Sequence, residues 1–221
     1  MSVIKHKEQR VGIFIDTQNL YHSAKNLYHL KVNFGNVVKD ALAGRSLIRA
    51  IAYVITTESG EERGFFDALE KLGIEAKTKN LQIFSSGSKK ADWDVGLAVD
   101  AIKMAPKLDT VIIASGDGDF IPLVEYLQMN EGCQVEVVAF GKSASGKLRE
   151  ATDDFLDLSE DPKRYLMGYK ETRGGRSSLR NERSERNERP ERTDNGYEER
   201  PEEREAPSQI QKIERIAPTD E

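Results

Sequence analysis

Short apolar runs alternate with segments of helical periodicity along most of the chain. The runs are rich in β-branched and aromatic residues, which favour strands, whereas the segments between them repeat apolar residues every three or four positions, which favours helices. The runs predict strands at residues 11–15, 47–56, 74–83, 111–114, 135–140 and 155–158. The helical spacing predicts a helix that begins near residue 19 and further helices at residues 61–72, 93–104, 120–130 and 144–150.

The order of these elements predicts an α/β fold. Parallel strands need crossover connections, so alternating strands and helices favour a mostly parallel sheet with helices on both faces. The run at residues 111–114 shows no polar alternation, as expected for a strand that is covered on both sides. We therefore expect a three-layer α/β/α sandwich over residues 1–165. Its ligands should bind beyond the carboxyl ends of the strands.

The composition of the chain changes beyond about Gly168. Arg, Glu, Asn, Ser and Pro dominate there, and a Glu-Arg step recurs every three residues from Asn181 onward. Because apolar residues are nearly absent, burial cannot offset the entropy lost on ordering. Residues 166–221 are predicted to form a charged, Arg/Glu-rich disordered tail, through which protein partners or self-association would act.

Charge and cysteine usage restrict the class of protein. The formal net charge is −5 at pH 7, so a nucleic-acid partner would have to meet a local basic patch rather than a basic molecule. Cys133 is the one cysteine, which excludes an internal disulfide and a Cys-based zinc cluster, and its surroundings predict a core position. No apolar run approaches the ~18 to 20 residues that span a bilayer. These features predict a cytoplasmic protein with no membrane contact.

Acidic residues follow two of the predicted strands. Asp16 comes directly after the first strand, and Asp117 and Asp119 follow the strand at residues 111–114, where glycines permit a tight turn. If these strands are parallel neighbours, the carboxylates meet at one edge of the sheet. Capping is the alternative role for Asp16 and for Asp119, which precede helices, whereas Asp117 has no comparable structural role. The segment from Ser115 to Asp119 could also be only a polar turn.

A third acidic contribution is predicted at the start of the helix at residues 93–104. The residues three, four, seven and eight positions beyond Asp94 are all apolar, so Asp94 lies on the stripe that faces the sheet. The same steps from Asp92 give a more mixed face, and Asp92 makes the better N-cap. Asp94 is therefore preferred as a ligand. Asp100 lies off the stripe, either beside the ligands or in solvent.

Carboxylates from different strand ends repel one another unless a cation lies between them. Their hard oxygen atoms favour Mg²⁺ or Mn²⁺. Asn19 could orient Asp16 or a bound water, or be an ordinary first-turn residue. Basic side chains that could hold substrate phosphate, or simply be solvated, are Lys89, Lys90, Lys142, Lys147 and Arg149.

Three motifs carry a resemblance to a known family. They are Phe14-Ile15-Asp16-Thr17-Gln18-Asn19-Leu20, Asp94-Val95-Gly96-Leu97-Ala98-Val99-Asp100 and Ser115-Gly116-Asp117-Gly118-Asp119-Phe120. Over residues 8–160 the chain resembles the NYN domains, the LabA-like branch of the PIN-domain nucleases. The resemblance implies a PIN-like fold and divalent-metal-dependent cleavage of RNA. It places the family's acidic positions at Asp16, Asp94, Asp117 and Asp119, and polar positions beside them at Asn19 and Ser115. Both Asp92 and Asp94 lie where the family's helix-starting Asp is expected.

The motifs and the resemblance together lead us to expect a ribonuclease that uses Mg²⁺ or Mn²⁺ to hydrolyse RNA phosphodiester bonds. One alternative is a non-catalytic, metal- or RNA-binding regulatory module with the same fold. Another is a phosphohydrolase of small phosphate esters. Such enzymes usually carry a second Asp two residues after the nucleophilic one, but Thr17 and Gln18 follow Asp16 here, which disfavours this alternative.

Overall fold

Six of the described strands form a wholly parallel central sheet. The structure is a computed structural model and describes residues 3–56, 63–80, 82–83, 89–90 and 92–170, with the backbone alone at residues 82–83 and 89–90. The strands are β1 (Arg10–Asp16), β2 (Lys31–Val32), β3 (Ser46–Thr56), β4 (Glu75–Asn80), β5 (Gln82–Ile83), β6 (Lys89–Lys90), β7 (Thr110–Ala114), β8 (Gln134–Ala139), β9 (Asp154–Asp157) and β10 (Leu166–Met167). The α-helices are α1 (Thr17–Tyr28), α2 (Phe34–Leu42), α3 (Arg63–Lys71), α4 (Asp94–Met104), α5 (Ile121–Met129), α6 (Gly146–Ala151) and α7 (Pro162–Tyr165).

The order of the strands reverses direction between β1 and β7, which leaves a crevice at their carboxyl ends. The order across the sheet is β4-β3-β1-β7-β8-β9. The chain builds outward from β1 to β3 and β4, then returns to the other side of β1 and builds outward again through β7, β8 and β9. Ligands of open α/β sheets bind beyond the strand ends at such a reversal. Asp16 ends β1 and Ser115 directly follows β7, so the predicted acidic segments flank this crevice.

Helices cover both faces of the sheet, and the predicted three-layer α/β/α architecture is confirmed. On β1, Ile13 and Ile15 join one core and Phe14 joins the other, as the two-residue period of a strand requires. The first core includes residues of α1, α2 and α3, and the second includes residues of α4, α5 and α6. Every residue of β7 is buried, which agrees with its lack of polar alternation.

The fold differs from the sequence prediction in one divided strand and in several elements that were not predicted, namely α2, α7, β2, β6 and β10. The expected strand at residues 74–83 is divided, because β4 joins the parallel sheet whereas β5 pairs antiparallel with β6. Helix α2 was not predicted at all. Asn33 caps it by accepting the N–H of Asn36 at 3.2 Å, and Val37, Val38 and Ala41 bury its inner face. Its cap and its spacing were visible in the sequence, but the helix has only 9 residues.

Other expectations concern single residues and the end of the chain. Cys133 is buried, as predicted. The fold continues beyond residue 165, since β10 pairs with β2 and Leu166 is buried. The tail predicted for residues 166–221 lies outside the described residues from residue 171 onward. Within the described part of the chain, no helix has both the length and the apolar character that a bilayer crossing requires.

Candidate active site

Asp16 is held by hydrogen bonds at the junction of β1 and α1. Its Oδ1 accepts the backbone N–H of Asn19 at 3.0 Å, which caps α1, and its Oδ2 accepts the hydroxyl of Ser115 at 3.1 Å. Burial raises the pKa of Asp16, the bonds from Asn19 and Ser115 oppose this rise, and the charge of Asp117 adds to it. The capping role considered as an alternative for Asp16 is therefore real. It leaves the carboxylate anchored beside β7.

Hydrogen bonds of Ser115 and Asn19 connect the loop after β7 to the start of α1. The Oγ of Ser115, which is fully buried, also accepts the N–H of Asp117 at 3.2 Å. The Oδ1 of Asn19 accepts the N–H of Gly116 at 2.9 Å. A Cβ at Gly116 would lie 3.0 Å from the Cα of Ala144, so a larger residue there would crowd the backbone of the next loop. These contacts give both polar residues a positioning role.

The capping of the turn before α5 differs from the expectation for Asp117 and Asp119. A 3₁₀ turn at Gly118–Phe120 precedes α5, so the residue before the turn is Asp117, and its Oδ1 accepts the N–H of Asp119 at 3.0 Å. On the sequence alone, capping was the alternative role of Asp119 and none was offered for Asp117, whereas in the structure Asp117 is the cap. Asp119 is exposed and does not line the cavity that Asp16 and Asp117 share.

Helix α4 begins at Asp94, which is half-buried above fully buried Leu97 and Ala101, as its helical phase predicted. Burial raises the pKa of Asp94, and the charges of four other carboxylates raise it further; these belong to Asp16, Asp92, Asp117 and Asp119. The expectation that Asp92 caps α4 is wrong. Trp93 holds the cap position with no side-chain hydrogen bond, because the helix begins two residues after Asp92.

These segments enclose a cavity of about 230 Å³ at the carboxyl edge of the sheet. Three of the four predicted metal ligands and Asp92 face it. Its lining residues are Asp16, Gln18, Asn19, Tyr53, Ile55, Asp92, Trp93, Asp94 and Asp117. Sequence reasoning missed Gln18, Tyr53, Ile55 and Trp93. Because Tyr53 pairs with Asp16 across β3 and β1, only the strand order could have revealed it.

Asp100 reaches the cavity through Tyr53. The phenol of Tyr53 donates to Oδ2 of Asp100 at 2.8 Å, and Nζ of Lys77 donates to the same oxygen at 2.6 Å. Burial alone would raise the pKa of Asp100, but the hydrogen bonds from Lys77 and Tyr53 outweigh it and lower the pKa. Asp100 therefore holds Tyr53, a residue of the cavity wall, and the ammonium of Lys77 balances the charge of its carboxylate. The sequence did not indicate that Lys77 lies here.

Trp93 forms a rigid side of the cavity. Its indole N–H donates to the carbonyl of Val54 at 3.1 Å, and its ring lies 5.5 Å from that of Tyr53. The Nζ of Lys79 lies 5.7 Å from the centre of the indole and donates to the carbonyl of Asp92 at 3.1 Å. A Cβ at Gly96 would lie 2.5 Å from Cε3 of Trp93, so the glycine makes room for the indole.

The donor set of the cavity fits a hard cation, although it does not form a closed ligand shell. In the described part of the chain, no three His, Cys, Asp or Glu side chains lie close enough together to hold a metal ion. The donors to Asp16 and Asp117 that the structure describes are neutral: two backbone N–H groups and one hydroxyl. Burial and mutual repulsion raise the pKa of Asp16 and of Asp94. A divalent cation would relieve this repulsion.

Three of the basic residues predicted to contact phosphate, Lys142, Lys147 and Arg149, do not line the cavity. Arg149 lies 3.7 Å from Asp157, with its guanidinium 4.8 Å from the ring centre of Phe155, and Nζ of Lys142 lies 5.5 Å from the ring centre of Tyr28. Exposed Lys147 is not among the lining residues either. Lys89 and Lys90 form β6, and their side chains lie outside the described part.

The chain is similar to known proteins over most of this fold. The curated relative Low amplitude and bright protein LabA of Synechococcus elongatus is 30% identical over 164 residues, which cover 70% of this chain and 86% of the relative. The crystal structure of a protein of unknown function from Vibrio parahaemolyticus has 30% identity and a TM-score of 0.67, and the match covers 75% of this chain and 100% of that one. The model of the NYN domain family matches residues 10–159, from β1 to just beyond β9. The chain therefore belongs to the NYN domain family, with a LabA-like sequence.

Proposed function

We propose that the protein is a metal-dependent ribonuclease that hydrolyses RNA phosphodiester bonds at the acidic cavity. The observation that carries the proposal is the meeting of Asp16, Asp94 and Asp117 in one cavity at the reversal of strand order. They come from the end of β1, the start of α4 and the loop after β7. The likeness of NYN domains to the PIN-like nucleases supports the same chemistry.

Asp16, Asp94 and Asp117 would hold a divalent cation, with Asp119 on the adjacent turn as the outermost of the four predicted ligands. Bound Mg²⁺ or Mn²⁺ would lower the pKa of water and offset charge that develops on the phosphate. The remaining residues keep the carboxylates in place. Ser115 fixes Oδ2 of Asp16, and Asn19 fixes the loop that carries Asp117.

The wall formed by Tyr53 and Trp93 defines the side of the cavity opposite the loop after β7. Tyr53 is almost fully buried, and its phenol is committed to Asp100. Burial is the main reason that its pKa lies far above the ordinary value, so it stays a neutral donor at physiological pH. Tyr53 therefore orients the wall and supplies no proton to a reaction.

A non-catalytic module that binds metal or RNA is the second candidate, and two observations favour it over a metal-dependent enzyme. Both Asp16 and Asp117 already accept capping hydrogen bonds, and the described residues hold no group of three side chains at metal-binding separation. A carboxylate that caps a helix keeps free lone pairs. The two candidates therefore differ in whether bound metal leads to cleavage.

The test is cleavage of end-labelled single-stranded and structured RNA by the full chain, with Mg²⁺ or Mn²⁺ and with EDTA. Cleavage should depend on metal and fall at least a hundredfold in Asp16→Asn and Asp117→Asn. Asp67→Asn is the matched control, since Asp67 is an exposed helix residue outside the cavity, and it should cleave as wild type does. A small phosphomonoester in a parallel assay should remain intact.

Metal binding is followed separately through the fluorescence of Trp93, the single tryptophan of the chain, which lines the cavity. Quenching by Mn²⁺ without any RNA cleavage would reject the nuclease and support the non-catalytic candidate. Cleavage that survives in both Asp→Asn variants would place the chemistry elsewhere and reject the proposed site.

A further inference from the structure

One face of α1 leads away from the acidic cavity. Gln18, Tyr21, His22 and Lys25 are spaced three, four and seven residues apart, so they share one stripe of the helix. Gln18 lines the cavity. At a rise of about 1.5 Å per residue, Lys25 lies about 10 Å further along the helix axis. The stripe therefore runs from the cavity, at Gln18, along the exposed surface of α1 to Lys25.

We refer to the outer part of this stripe, Tyr21, His22 and Lys25, as the α1 strip. These side chains do not pack into the core. Leu20 and Ala24 bury the opposite face of the helix, whereas Tyr21 is 43% exposed and its two neighbours are also exposed. Tyr21 nevertheless contacts both of the other side chains. Nζ of Lys25 lies 5.5 Å from the ring centre of Tyr21, and the rings of Tyr21 and His22 meet edge to face at 5.4 Å.

The chemistry of the α1 strip suits a single-stranded nucleic acid. An exposed aromatic ring offers a stacking surface to any base, and a lysine beside it attracts the phosphate. The cavity itself is acidic and repels phosphate, so cations close to it have to supply the attraction. Lys142 and Arg149, beyond β8, do not do so, because they contact Tyr28 and Asp157 instead.

We propose that the α1 strip binds the single-stranded RNA segment next to the bond placed in the cavity, with a base stacked on Tyr21 and a phosphate on Lys25. The position of that bond rests on the proposed ribonuclease function. Binding on the strip does not, because it needs neither the metal nor cleavage. The two proposals can therefore fail independently.

The test is binding of a fluorescein-labelled 12-nucleotide single-stranded RNA to the full chain in EDTA, measured by anisotropy. Tyr21→Ala should weaken binding at least about fivefold, the lower limit for the loss of one base stack. Tyr21→Phe should bind as wild type does. The control is Tyr126→Ala, because Tyr126 is 38% exposed on α5 and lies outside the α1 strip, and it should have no effect.

A salt titration of the same binding tests Lys25. The slope of log affinity against log salt concentration should be lower by about 0.7 in Lys25→Ala, as expected for one lost phosphate contact to a single strand. Lys39→Ala, which removes an exposed lysine of α2, should leave the slope unchanged.

Three results would overturn the inference: no RNA binding by wild type, binding by Tyr21→Ala within twofold of wild type, or an equal loss in Tyr126→Ala. If binding depends on Tyr21 but RNA is never cleaved, the inference holds and the ribonuclease proposal fails. If RNA is cleaved and Tyr21→Ala changes neither binding nor KM, the ribonuclease proposal holds and the inference fails.

Discussion

Replacing Ser115 with alanine removes a hydroxyl that links the carboxylate of Asp16 to the backbone of Asp117. It donates to Asp16 at 3.1 Å and accepts from the N–H of Asp117 at 3.2 Å, and it is fully buried. A hydrogen bond to a charged group contributes about 1.5–3 kcal/mol. A substitution behind a metal ligand typically costs about ten- to a hundredfold in metal affinity. We expect the Kd for Mn²⁺ to rise by that factor in Ser115→Ala.

The same substitution should shift the pH dependence of metal binding. A proton and a cation compete for Asp16, so metal binding weakens as the pH falls through the pKa of this carboxyl, which burial raises above its ordinary value. The Ser115 hydroxyl opposes this rise. Its loss raises the pKa further, and the midpoint of metal binding moves to higher pH.

Fluorescence titration of Trp93 with Mn²⁺ at several pH values measures both effects. The control is Ser145→Ala, which removes the hydroxyl that accepts the N–H of Leu148 at 3.4 Å and caps α6, but keeps the backbone bond from Ser145 to Gly116 on the loop that carries Asp117. It should lower the unfolding free energy by about 1 kcal/mol and leave the Mn²⁺ affinity unchanged. An unchanged affinity and pH midpoint in Ser115→Ala, or an equal loss in Ser145→Ala, would refute the reasoning.

Three further substitutions separate the site from the rest of the fold. Gly96→Ala places a Cβ 2.5 Å from the indole of Trp93, so we expect a changed emission spectrum, weaker Mn²⁺ quenching and about 1–3 kcal/mol lower stability by denaturant titration. Burial raises the pKa of Asp16, so at any pH above that pKa its ionised carboxylate destabilises the folded protein. Asp16→Asn removes this charge. In EDTA at neutral pH its Tm should exceed that of wild type, whereas Mn²⁺ should raise the Tm of wild type alone. Glu136→Gln leaves Arg45, whose side chain is fully buried, without its bidentate partner, and should lower the unfolding free energy by about 3–5 kcal/mol with Mn²⁺ affinity intact.

The layers of the fold were predictable because their signal is local. Burial on both faces gives strands such as β7 an apolar sequence without alternation, and α4 shows its inner face through the spacing of Leu97 and Ala101. The strand order is not a local property. It places Tyr53 beside Asp16, and no pattern around residue 53 alone reveals that neighbour.

The candidate site was predictable to the level of its acidic segments but not of its hydrogen bonds. Asp16, Asp94 and Asp117 line one cavity, as the strand ends and the helical phase indicated. Capping was considered for Asp119 and not for Asp117, because the sequence did not reveal the 3₁₀ turn before α5 that moves the cap by two residues. Sequence patterns locate such a boundary only within a few residues.

The central claim is that carboxylates from β1, α4 and the loop after β7 hold one divalent metal. The most direct measurement is an anomalous difference map from crystals of the protein grown with Mn²⁺. The account predicts a peak inside the cavity, in contact with the carboxylates of Asp16, Asp94 and Asp117. A map without a peak there at saturating Mn²⁺, or with the ion bound away from these three side chains, would contradict it.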